Sequence, residues 1–256
     1  LGLIPFTPVR FGSGQHFQTI SAQLLTKMPG YMPRRIGLLN ERAVLPTQDD
    51  SGDRLVVHVH RFTGDYKHAA PVVVLCHGLE GDSSSIYIVK MANRLLSAGF
   101  NVIRMNMRSC GEGLPYARYA YYSGLTIDVE TVLDYARRTI SPHVVMMGIS
   151  LGANLTLKLM GEDQAERNRQ LATLGTRPRT RRNRRTPPAD VFVAVSPPME
   201  LQLSCEELDG PNCRLYRNMF LKSIKQRARD GKFLEIDNIA EELDQIKTFF
   251  DFDHIF

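Results

Sequence analysis

Tryptophan is absent from these 256 residues and cysteine is scarce, at four. Nowhere do apolar residues run uninterrupted for anything near the 18 that a membrane-spanning helix needs, so no transmembrane segment is expected. Cys76, Cys110, Cys205 and Cys213 lack the CxxC pairing of a zinc site or a redox motif, and no metal is expected from them. Cys76 lies in an apolar run and reads as a small buried hydrophobe, and nothing requires a Cys205–Cys213 bridge. This usage fits a reducing compartment, so a cytoplasmic location is expected. The first residue is Leu, and the opening "LGLIPFTPVRFGSG" is too broken by Pro and Gly to form the apolar core of a secretion signal.

Acidic residues are missing from one stretch, 167–188, which instead holds eight arginines. Removing those eight from the 32 Lys and Arg leaves 24 basic residues against 27 acids, so the net charge of +5 belongs to this segment and not to the whole chain. Its turn formers and its lack of large apolar residues predict a solvated Arg-rich insertion loop over 167–188. Such a cluster leaves peripheral contact with an anionic membrane open. Nucleic-acid binding is not expected, because no aromatic side chains are interleaved with the arginines.

What is present is an ordinary globular balance, 43% apolar and 23% charged, over a length that buries one sizeable core. A single domain over 1–256 is the expectation. "RAVLPT" (42–47) and "RLVVHVHRF" (54–62) flank the turn-rich "QDDSGD" and read as a hairpin. "PVVVLCHG" (71–78), "NVIRMNMR" (101–108), "HVVMMG" (143–148) and "DVFVAVSPP" (190–198) are short apolar runs suited to buried parallel strands. Between them, residues 85–100, 126–140 and 153–163 carry helical periodicity, as do 213–229 and 239–252 beyond them. Alternation of this kind predicts an α/β fold with a mostly parallel central sheet and helices on both faces. His58 and His60 alternate on a strand without a third ligand nearby, and are expected to face solvent.

The strand at 143–148 runs into Gly148-Ile149-Ser150-Leu151-Gly152 and a helical segment follows at once. A nucleophile at a sharp strand-to-helix turn needs small neighbours on both sides, and the two glycines supply them. Ser150 is therefore the expected catalytic nucleophile, weighed against the plainer role of a helix N-cap serine. "CHGLEGDSS" (76–84) follows another apolar strand, where a loop of this kind builds the second half of an oxyanion hole. The backbone N–H groups of Leu79 and Leu151 are the expected oxyanion donors. His77 lies on that loop and is expected to brace it by hydrogen bonds. Asp128 is expected to cap a helix or orient a loop.

Beyond these, "GQHFQTI" (14–20), "HGLEGDSSSIYI" (77–88), "NMRSCGEG" (106–113), "YYSGLTIDV" (121–129), "GISLGANL" (148–155), "SPP" (196–198) and "FFDFD" (249–253) form a run of blocks spread over nearly the whole chain. In these the chain resembles the AB hydrolase superfamily, and within it the AB hydrolase 4 family of bacterial hydrolases, eukaryotic lipid esterases and alcohol acyltransferases. Ser109 stands where that family usually has Gly, and so does Ala153. The resemblance implies an α/β-hydrolase fold and a cofactor-free carboxylic ester hydrolase that works through an acyl-enzyme on small ester or lipid substrates.

One departure accompanies the resemblance. In this fold the triad runs Ser, then Asp or Glu, then His in chain order, and the only histidine after Ser150 is His254. A chain end so soon after "FFDFD" leads to the expectation of a domain incomplete at its C-terminus, with its last strands missing. A second reading follows, that of a non-catalytic hydrolase remnant that keeps a ligand cleft.

Overall fold

Six strands in the order β1-β2-β4-β3-β5-β6 form the centre of the computed structural model. Residues 37–63, 70–174, 187–231 and 243–251 are described, without side chains over 166–174, and all belong to one compact unit. Strands β1 (Leu38–Pro46) and β2 (Arg54–Phe62) pair antiparallel as the leading hairpin, and β2 pairs antiparallel with β4 (Asn101–Met105). From there the sheet is parallel through β3 (Val72–Cys76), β5 (Val144–Ile149) and β6 (Val191–Val195).

Strand β3 reads as an unbroken apolar run because it is buried on both faces. Val72, Val74 and Cys76 share one core cluster with residues of helices α2 (Thr126–Thr139) and α3 (Leu151–Leu174). Val73 and Leu75 alternate to the opposite face. Helix α1 (Ile86–Ser97) packs on β3 and β4 with Ile88, Ala92 and Leu96 buried. Helices α4 (Leu201–Asp209) and α5 (Arg214–Asp230) follow β6. With Leu243, Ile246 and Phe249, α5 builds a second apolar cluster. Among the described residues, no helix is long and apolar enough to cross a membrane.

The topology creates a crevice. The connection leaving β3 goes to β4 on one side, whereas the connection leaving β5 goes to β6 on the other. Neighbouring strands whose connections diverge leave a gap beyond their carboxyl ends, the usual ligand position in open α/β sheets.

Four expectations need correction. The helix expected over 239–252 is interrupted within its described part, at 246–248. Helix α3 runs to Leu174, so residues 167–174 are helical instead of loop. They carry no Gly or Pro before Gly175, and Arg, Gln, Leu and Ala are sound helix formers. Residues 175–186 lie outside the described residues. His60 does not face solvent: it is buried, with Nδ1 against Asn40 Oδ1 and Nε2 accepting from Arg104 Nε at 3.0 Å. His58 is partly buried, 3.3 Å from Glu112. Helix α4 was not foreseen, because its nine residues show no clear apolar period and are separated from "SPP" by two residues.

Candidate active site

Residue 150 occupies the single step between strand β5 and helix α3, with φ +56°. A left-handed backbone is rare for a residue with a side chain, and it holds only where surrounding structure over-determines it. Here the Ser150 N–H donates to Val195 O of β6 at 2.9 Å, while its carbonyl accepts from Ala153 (2.9 Å) and Asn154 (3.1 Å). The chain is thus anchored to the next strand on one side and to the first helical turn on the other. Ser150 itself is exposed. Gly148 and Gly152 permit this packing: a Cβ at 148 would stand 2.0 Å from Gly152 O, and one at 152 would stand 2.5 Å from His77 O.

Strain gathers along the same edge of the sheet. Among the described residues five non-glycine positions have positive φ, and four of them, Glu80, Ser109, Ser150 and Ser196, follow the carboxyl ends of β3, β4, β5 and β6 in turn. Backbone strain of this kind concentrates at functional sites.

The loop after β3 meets Ser150 across the crevice. Position 78 lies so close that a Cβ there would be 3.0 Å from Ser150 Cβ. His77 is fully buried, with its ring spanning two backbone groups: Met107 N–H donates to Nε2 at 3.0 Å and Nδ1 lies 2.8 Å from Gly78 O. Since Nε2 accepts, the ring proton belongs on Nδ1 and is donated to Gly78. Burial pushes the imidazole pKa down, so it stays neutral in this brace. Gly78 N–H donates to Tyr87 Oη at 2.9 Å. Leu79 packs its side chain against both apolar clusters. Among the described residues, the N–H groups of Leu79 and Leu151 have no matched acceptor. Leu151 is the first residue of α3, where unsatisfied N–H groups and the helix dipole favour negative charge.

Next to this crevice stands a buried ionic group. Arg108 donates to both carboxylate oxygens of Asp128 and to Asp49 Oδ2 (2.6 Å), with Asp53 Oδ2 at 3.4 Å. Asp128 therefore neither caps α2 nor hangs free. It ties the loop after β4 to that helix, and the hairpin turn at 49–53 joins the same guanidinium. Burial raises the Asp128 pKa against the opposing pull of Arg108.

A proton acceptor for Ser150 is not found among the described histidines. Both nitrogens of His77 are engaged. His143 precedes β5 at the opposite end of the strand. His58 and His60 lie on β2, three strands from β5 and so roughly 14 Å away at the usual strand spacing. His254 lies outside the described residues. No group of three or more His, Cys, Asp or Glu among the described residues is placed to hold a metal.

Comparison with known proteins agrees with this architecture. The sequence profile of the family described as "alpha/beta hydrolase fold" matches residues 71–237, more than half of the chain. The chain belongs to the α/β-hydrolase fold family. YheT of Escherichia coli, named as a candidate esterase, is 24% identical over 224 residues, covering 87% of this chain and 57% of YheT. The monoacylglycerol lipase of Saccharomyces cerevisiae is 25% identical over 189 residues, covering 73% of this chain and 39% of the lipase. An abhydrolase domain-containing protein of Dictyostelium discoideum is 28% identical over 138 residues, 52% of this chain and 34% of its own length. The chain thus spans between a third and somewhat over half of these relatives. Among solved structures, an esterase of Pyrococcus furiosus superposes with a TM-score of 0.53 at 14% identity, over 80% of this chain and 72% of the esterase. That likeness is one of fold.

Sequence reasoning overlooked Glu80 and Arg227, which meet Tyr121 at the 77–82 loop. Glu80 between Leu79 and Gly81 carries no local trace of its partner, since the sequence offers 32 candidate cations and no means of choosing.

Proposed function

We propose that this chain carries the site of a carboxylic ester hydrolase, with Ser150 as nucleophile and the N–H groups of Leu79 and Leu151 as the oxyanion hole. The observation that carries the reading is the placement of Ser150, exposed on a left-handed strand-to-helix step beside Gly78. Such a step aims a hydroxyl out of the sheet edge beside the first amides of the following helix. The substrate class is a small-molecule ester or a lipid with a short or medium acyl chain, in line with the names of the bacterial and yeast relatives. No cofactor enters the reaction.

In the proposed course, Ser150 Oγ gives up its proton to a base and bonds to the ester carbonyl carbon. The carbonyl oxygen takes the negative charge and is held by the two amides. Collapse of the tetrahedral adduct breaks the bond to the alcohol oxygen, which leaves with the proton. Water then repeats the attack on the acyl-serine and releases the acid. Free thiols at Cys76, Cys110, Cys205 and Cys213 accord with a reducing, cytoplasmic setting.

The absence of a usable histidine among the described residues favours a second reading, a ligand-binding remnant with little turnover. Hydrolysis of a p-nitrophenyl ester by the wild type and by Ser150→Ala separates the two. Turnover that the substitution removes supports the hydrolase; equal background rates in both leave the binding module.

A further inference from the structure

Glu80 follows Leu79 directly and shares the strained edge, at φ +53°. Its carboxylate is almost fully buried, with 5% of the side chain exposed, yet it sits on a loop over a crevice. Three side chains hold it through four hydrogen bonds. Arg227 of helix α5 donates to Oε1 through Nε (3.1 Å) and Nη2 (2.9 Å), and Ser223 Oγ, one turn earlier, donates to Oε2 at 2.8 Å. Tyr121 Oη accepts the Glu80 N–H and donates to Oε1, both at 3.1 Å. The guanidinium lies 4.8 Å from the centre of the Tyr121 ring, and Nη1 donates to Ser109 Oγ at 3.0 Å. One arginine thus grips two of the four strained residues, Glu80 after β3 and Ser109 after β4. The helix that carries it also packs Leu221 and Ile224 in the cluster against which the Leu79 side chain rests.

We infer that Arg227, with Tyr121, is a positioning residue: it holds Leu79 and Glu80 in the conformation that aims the Leu79 N–H at the crevice, so that a seated α5 is a condition for oxyanion binding. Preorganised donors stabilise a developing charge only while their direction is fixed, and an amide on a loop has no helix or strand of its own to fix it. Glu80 supplies a handle next to that amide, and α5 holds the handle. The two sides are coupled, because a buried carboxylate that loses its cation cannot stay where it is. The catalytic half of this inference rests on the ester-hydrolase reading; the positional half does not.

The test compares wild type, Arg227→Met, Tyr121→Phe and Ser150→Ala of the 256-residue chain by amide hydrogen exchange and by p-nitrophenyl butyrate hydrolysis. Arg227→Met keeps the apolar stem, and Tyr121→Phe keeps the ring while removing both hydroxyl bonds, so the second remains usable where the first unfolds α5. The expected result is exchange at 78–82 at least about 10-fold faster in both variants and unchanged in Ser150→Ala. Hydrolysis is expected to fall about 10- to 100-fold in kcat, with KM within about twofold, since only transition-state binding is weakened. Unchanged exchange at 78–82, with faster exchange confined to α5 and 243–251, would reduce Arg227 to a packing residue of the helix and overturn the inference. So would faster exchange at 78–82 with an undiminished kcat. If the wild type hydrolyses no ester in a Ser150-dependent way, the hydrolase reading fails, and the exchange comparison still decides whether Arg227 holds the loop.

Discussion

Gly78 leaves open the space into which Ser150 projects: a Cβ on residue 78 would lie 3.0 Å from the serine Cβ and 3.4 Å from its Oγ. Two loops from adjacent parallel strands converge there, and the contact is close enough that neither position tolerates a larger occupant without movement.

Gly78→Ala is accordingly expected to disturb chemistry more than folding. The added methyl overpacks a tight contact, at a cost of about 1–3 kcal/mol. Displacing the nucleophile by a fraction of an ångström should cut p-nitrophenyl ester turnover at least ~10-fold. Urea unfolding and steady-state rates on the same preparation check both, and wild-type turnover would contradict the geometry.

Two other glycines should respond in opposite directions. Gly148→Ala drives a Cβ to 2.0 Å from Gly152 O and 2.4 Å from Thr156 Oγ1, and backbone cannot yield so far. A loss above about 3 kcal/mol, or failure to fold, is expected. Gly161, inside α3, has nothing within 4 Å of its Cβ position. Gly161→Ala should raise stability by about 0.5–1 kcal/mol through helix propensity. Denaturant midpoints test the pair.

Stability should fall on mild acidification. Burial, then the charges of Arg104 and His58, push the His60 pKa down to about 3. In the unfolded chain it returns to about 6.5. Between these values the unfolded state binds a proton that the folded state refuses, because Nε2 already accepts from Arg104. The stabilising contribution is complete above pH 6.5 and is lost progressively as pH drops toward 3. His60→Gln should flatten the slope of unfolding free energy between pH 5 and 7. A slope identical to that of the wild type would contradict this account.

Removing Arg108 should be costly. Arg108→Met strands Asp128, which is almost fully buried, whereas Asp53 keeps Arg118 and two backbone N–H donors. An uncompensated buried charge of this kind costs about 3–5 kcal/mol. Adding Asp128→Asn should recover part of the loss, so a double-mutant cycle should give clearly non-additive energies.

Fluorophosphonate labelling of Ser150 should be slow, because no histidine among the described residues stands ready to take its proton. Intact-mass detection of the adduct, with Ser150→Ala as the blank, measures this. Rapid labelling that the blank lacks would point to a base in residues beyond those described.

Much of the fold was legible because its signals are local. A turn-rich hexapeptide between alternating strands marks the β1–β2 hairpin, and β-branched runs of five or six residues mark β3 to β6. The step at 148–152 was legible for the same reason: strand end, small residues and helix start lie within five positions. The fate of His60 was not, since alternation puts a residue on a face without saying what covers that face, and here Arg104 of β4 does. The continuation of α3 to Leu174 was hidden by averaging the arginine-rich stretch as one piece.

The order of residues determined, without help, that the chain alternates strand and helix and that a serine stands between glycines where β5 ends. Those facts depend on nearest neighbours and on the conformations their side chains permit. Only the folded chain decided which distant groups share a space. It set Gly78 against Ser150, 72 positions apart, and Arg227 against Glu80, 147 positions apart. Sheet order and the docking of α5 bring these pairs together, and contacts between remote segments leave no periodic trace in a single sequence.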